Sequence, residues 1–82
     1  MFTGPKPFLV VDLLGPGGNI VAIIARCERI ARRAGKPEYE INAFRRAVTS
    51  THSYADALAT VETWFDAIFI GRNPSDAGEK EA

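Results

Sequence analysis

Cysteine is nearly absent from this chain. Cys27 stands alone, so no intrachain disulfide can form, and a reducing cytosol is the natural setting. Histidine is as scarce: with only His52 beside Cys27, a metal site built from one chain lacks its usual ligands, and no metal or cofactor is expected. Net charge is missing too. Ten Lys and Arg residues balance ten Asp and Glu residues, which removes any global attraction to nucleic acid or to an acidic membrane. No apolar run approaches the roughly 20 residues that cross a bilayer, and Pro5 and Pro7 fall where a secretory apolar segment would sit. The expectation is a soluble cytoplasmic protein without a membrane partner.

Catalytic signatures are absent as well. Gly15-Pro16-Gly17-Gly18-Asn19-Ile20 begins like a dinucleotide fingerprint but has isoleucine where the third glycine belongs, and no G-K-[ST] follows. A doubly wound nucleotide fold would also need a second parallel strand directly after the first helix, whereas Gly35-Lys36-Pro37 leads into another helix. Ser50, His52 and Asp56 crowd one helix start, where capping explains them better than a catalytic triad does. Cys27 lies within an apolar helical arc and reads as a buried, inert thiol. These exclusions favour a non-enzymatic protein.

What is present is a well-punctuated α+β pattern. Residues 1–7 carry two prolines and read as an extended arm. Phe8-Leu9-Val10-Val11-Asp12-Leu13-Leu14 then reads as a strand, with Phe8, Val10, Asp12 and Leu14 on one face and Leu9, Val11 and Leu13 on the other. Both faces are largely apolar, which implies burial on both sides. Gly15-Pro16-Gly17-Gly18 has the proline and glycine placement of a type II turn, and Asn19 is placed to cap a helix. Ile20, Ile23, Ile24, Cys27, Ile30, Ala31 and Ala34 fall within one arc of about 120°, with Arg26, Arg29, Arg32 and Arg33 opposite.

Gly35 stops that helix, and Lys36-Pro37 opens a second one running to about Val48, with Ile41, Phe44 and Val48 as its apolar stripe. Its acids Glu38 and Glu40 lie near the N-terminus and its bases Arg45 and Arg46 near the C-terminus, as the helix dipole favours. Ser53 caps a third helix whose stripe is Tyr54, Ala57, Leu58, Val61, Trp64, Phe65 and Ile68. Residues 67–71 either continue it or form a short second strand. The strand is favoured, because it would give the first strand a hydrogen-bonding partner. The alternative architecture is a mostly α three-helix bundle. Residues 1–71 make one small domain, and residues 72–82 read as a disordered acidic tail.

The strand, glycine-rich turn and helix start aim unpaired backbone N–H groups and a positive dipole end at one spot. Gly15, Gly17, Gly18 and Asn19 are therefore candidate contacts for a small anion, with a structural turn as the simpler alternative. Arg26, Arg29 and Arg33 offer bidentate partners for phosphate or carboxylate groups, or else a solvated helix face. Ser50, His52, Ser53 and Tyr54 belong to a dense polar stretch that would line a pocket if it met the glycine turn. Nucleic acid is disfavoured, since no aromatic residues are interleaved with the arginines.

The strand, the Gly15, Gly18 and Asn19 turn, the Arg32-Arg33-Ala34-Gly35 helix end and the Ser53-Tyr54 element together resemble a group of small, mostly uncharacterised bacteriophage and prophage proteins. The likeness spans roughly residues 9–66. It implies a phage-encoded protein acting in the host cytoplasm by binding, as anti-defence proteins of that kind do. Two functions follow as expectations. One is sequestration of a small anionic, nucleotide-derived immune signal; the other is a protein-interaction module that inhibits a host defence complex through its arginine face. A domain of this size buries only about 60 to 65% of its unfolded surface, so self-association into a homo-oligomer is also expected.

Overall fold

A computed structural model describes residues 2–15 and 18–71. It has the order β1 (Phe8–Asp12), α1 (Ile20–Arg33), α2 (Glu38–Thr49), α3 (Tyr54–Trp64) and β2 (Asp66–Ile70). The chain is α+β, as the sequence implies, and residues 66–70 are a strand rather than a continuation of α3. β1 and β2 form a two-stranded parallel sheet in the register Phe8 to Asp66, Val10 to Ile68 and Asp12 to Ile70. Its ladder is extended at both ends, by Asp66 N–H donating to the Pro7 carbonyl and Leu13 N–H to the Ile70 carbonyl, both at 2.9 Å.

Each helix starts where its sequence says. Asn19 Oδ1 accepts from Ala22 N–H at 2.9 Å, and Ser53 Oγ accepts from Asp56 N–H at 3.0 Å. Pro37 takes the N-cap position of α2, one residue ahead of the first helical turn where it was expected. Gly35, at φ +82°, closes α1 in the left-handed conformation that glycine adopts without strain.

α1 packs on β1 and α3 on β2, while α2 packs against α1 and α3. Ile23, Cys27 and Ala31 of α1, Ile41, Phe44 and Val48 of α2, and Ala57, Leu58 and Val61 of α3 form one buried cluster with Leu9 and Val11 of β1. The first strand is thus buried on one face only. Phe8 remains 58% exposed, because a single run of helices between two strands covers one side of the sheet and, among the described residues, no element covers the other. Ile68 leaves the stripe on which a longer helix would have placed it. α3 ends at Trp64, the chain extends at Phe65, and the strand alternation turns Ile68 onto the uncovered face, where it is 51% exposed.

Residues 2–7 are more than an extended arm. Phe2 is buried, with its ring centroid 5.1 Å from Trp64 and 5.3 Å from Phe65 in edge-to-face geometry, and Phe44 stands 5.1 Å from Phe65. Two α2-side groups hold the backbone behind it. Buried Glu40 accepts from Thr3 N–H at 3.2 Å and from Thr3 Oγ1 at 2.5 Å, while Lys36 Nζ donates to the carbonyls of Thr3 at 2.7 Å and Pro5 at 3.1 Å. Lys36 also sits 5.9 Å from the Phe2 ring centroid, within cation–π range. The segment is a strap that closes the aromatic end of the core.

Candidate functional site

The glycine turn and the polar stretch before α3 do meet. Tyr54 Oη donates to the Gly18 carbonyl, tying the start of α3 to the start of α1. Gly18 is itself a packing requirement: a β-carbon there would run into the Leu13 carbonyl, so only glycine permits the backbone to pass that closely. Gly18 N–H donates to the Gly15 carbonyl at 3.0 Å and closes the turn, while Pro16 and Gly17, and with them the type of turn, lie outside the described residues.

The polar side chains that gather here are turned inward on their own helices. Thr49 Oγ1 donates to the Arg45 carbonyl at 2.7 Å, Ser50 Oγ to the Arg46 carbonyl at 2.6 Å and Thr51 Oγ1 to the Val48 carbonyl at 2.8 Å, so these hydroxyl protons satisfy the C-terminal end of α2. The oxygen of Ser53 and that of Asn19 face helix N–H groups as caps. An anion needs donors, and the hydroxyl protons of Thr49, Ser50 and Thr51 are committed to backbone carbonyls. His52 is exposed and takes part in no hydrogen bond or ion pair among the described residues.

The arginines divide into two sets. Arg26 Nε donates to the Val10 carbonyl at 3.2 Å, at the edge of β1 away from β2. Arg45 grips Glu28 with two bonds of 2.7 Å, and Arg32 grips Glu38 at 2.7 and 3.2 Å while lying 3.9 Å from Glu28. This chain of alternating charges laces α1 to α2. Bonding to Arg45 holds the Glu28 carboxyl below the usual carboxylate range, and bonding to Arg32 does the same for Glu38. Arg29 and Arg33 of α1 are exposed and engage no group among the described residues. The basic patch read from the sequence therefore contracts to these two side chains, one helical turn apart.

Elsewhere the chemistry is structural. Burial pushes the Cys27 thiol up to about 12, which keeps it protonated and unreactive. Glu40, first read as a charge favourable to the α2 dipole, is held low mainly by its bond from the Thr3 hydroxyl. The described residues contain no group of three or more His, Cys, Asp or Glu arranged for a metal ion, and no described helix is long and apolar enough to cross a membrane. Two features were missed by reading the sequence: the strap of Phe2, Thr3, Lys36 and Glu40, and the uncovered sheet face. The first has no local signal; the second was hidden in the apolar alternation of β1. No known protein family, curated protein or solved structure matches this chain.

Proposed function

We propose that the protein is a non-enzymatic interaction module that docks on an acidic protein surface through Arg29 and Arg33. The observation that carries this reading is the division among the arginines of α1. Arg26 and Arg32 are committed to the protein's own groups, whereas Arg29 and Arg33 stay unspent on the exposed side of the helix. Guanidinium groups so placed suit bidentate recognition of carboxylates on a partner. If the chain is phage-encoded, as its resemblance implies, that partner is a host protein, and docking occludes it.

Sequestration of a small anionic ligand at Gly15, Gly18, Asn19, Ser50, Ser53 and Tyr54 is less well supported, because the Ser50 and Tyr54 hydroxyls donate to backbone carbonyls and the oxygens of Asn19 and Ser53 accept from helix N–H groups. The test pairs two measurements. Affinity capture from bacterial lysate should lose its specific partner when Arg29→Glu and Arg33→Glu are combined, with the melting temperature unchanged; undiminished capture would contradict the proposal. A thermal-shift series with inorganic phosphate and cyclic dinucleotides should show no saturable rise, whereas a ligand bound only to the native state would produce one.

A further inference from the structure

We propose that the aromatic end of the core is a binding pocket for a short extended peptide of a partner protein, and that the strap of residues 2–7 is the displaceable segment filling it in the free chain. The inference is independent of the arginine reading and uses none of its residues. Phe2 is the ring in the pocket. It is 6% exposed and packs on three aromatic side chains, with centroids 5.1 Å from Trp64, 5.3 Å from Phe65 and 6.3 Å from Phe44. Those walls also hold one another. Phe44 lies 5.8 Å from Trp64 and 5.1 Å from Phe65 in edge-to-face geometry, and the three come from α2, the end of α3 and the residue after it, so the pocket keeps its walls when the ring leaves.

The strap is attached in a way that suits exchange. Among the described residues, no backbone–backbone hydrogen bond involves residues 2–6; the first along the chain is accepted by the Pro7 carbonyl, at the start of the sheet. Two side chains hold the strap instead, and both read backbone. Glu40 accepts from Thr3 N–H, while Lys36 Nζ donates to the carbonyls of Thr3 and Pro5. Any extended peptide carries such groups. The contacts that depend on sequence are few: the ring of Phe2, the Thr3 hydroxyl that donates to Glu40 at 2.5 Å, and Gly4, whose φ of +84° favours glycine. The pocket therefore takes a segment with an aromatic anchor, a Ser or Thr directly after it and a glycine next. Main-chain bonds that supply affinity beside a side-chain pocket that supplies specificity are a recurring form of peptide recognition. To displace the strap, a partner must replace one ring and four hydrogen bonds.

Trp64, the only tryptophan of the chain, reports on the pocket. The probe is the acetylated peptide Phe-Thr-Gly-Pro-Lys-Pro, the sequence of residues 2–7, titrated into the full chain carrying Phe2→Ala. Trp64 fluorescence should change saturably with a dissociation constant below about 1 mM, and the same peptide with alanine in place of its phenylalanine should produce no change. The wild-type chain should bind the probe about tenfold more weakly or worse, because its own strap competes at the effective concentration of a short tether. Should Phe2→Ala fail to fold by circular dichroism, Phe2→Leu is the milder variant. Amide exchange of the wild-type chain supplies a measure that needs no variant: Thr3 N–H should exchange about tenfold faster or more than Phe44 N–H, since the strap opens without the core. A folded variant that ignores the phenylalanine peptide, or answers the alanine peptide equally, would overturn the proposal. Equal binding by the wild-type chain, or Thr3 exchange as slow as that of Phe44, would overturn it too.

Discussion

The two faces of the β1–β2 sheet are built from similar side chains and have opposite fates. Leu9 and Val11 are almost entirely removed from water beneath the helices, while Phe8, one residue away, is 58% exposed. Hydrophobicity did not decide between them. Strand alternation divided the residues, and the chain path placed all three helices on one side. The covered face is therefore where stability resides, and the bare face is where a change of sequence should disturb folding least.

The covered side should be the easiest to break. Phe44 is fully buried at the centre of the aromatic cluster with Phe2, Trp64 and Phe65, so Phe44→Ala should cost about 3 to 5 kcal/mol in urea unfolding, enough to unfold a domain of this size. Tyr54→Phe deletes the bond that the Tyr54 hydroxyl donates to the Gly18 carbonyl and should cost about 1 kcal/mol. Ile70→Ser on the bare face should change stability by no more than about 0.5 kcal/mol. If Ile70→Ser destabilised the chain as much as Phe44→Ala, the distinction between the faces would fail.

Acid sharpens the comparison from another side. Glu28, Glu38 and Glu40 all have carboxyl groups held below their ordinary value of 4.5, the first two by arginines and the third by Thr3. A carboxyl with a depressed native pKa binds fewer protons folded than unfolded, so its stabilisation is present above the unfolded value and is lost as pH falls through the folded one. The melting temperature should hold near neutral pH and decline below about 4.5, and Glu28→Gln should flatten part of that decline.

How much of this was legible in the sequence follows from the range of each interaction. The helix stripes, the Asn19 and Ser53 caps and the Gly35 stop depend on residues a few positions apart, and reading the sequence located them. β2 was legible for a different reason: β1 needed a partner, and residues 67–71 were the only other candidate. Ile68 shows where periodicity runs out. Its spacing from Trp64 suits a helical stripe, whereas its strand phase turns it outward, and the end of α3 decides between them. The strap was illegible because Phe2 packs against residues more than forty positions away, and Glu40 satisfies the α2 dipole and the Thr3 backbone with the same carboxylate. The condition set on the candidate pocket was met, since Tyr54 reaches Gly18, yet Thr49, Ser50 and Thr51 turn their hydroxyls back on α2. Sequence shows a cluster of donors but not which carbonyls they have already found.

The asymmetry of the two faces is tested most directly by urea unfolding of paired variants, Val11→Ser on the covered face and Ile70→Ser on the bare one. The account predicts a loss of about 2 kcal/mol or more for Val11→Ser and of no more than about 0.5 kcal/mol for Ile70→Ser. Equal losses from the two variants would contradict it.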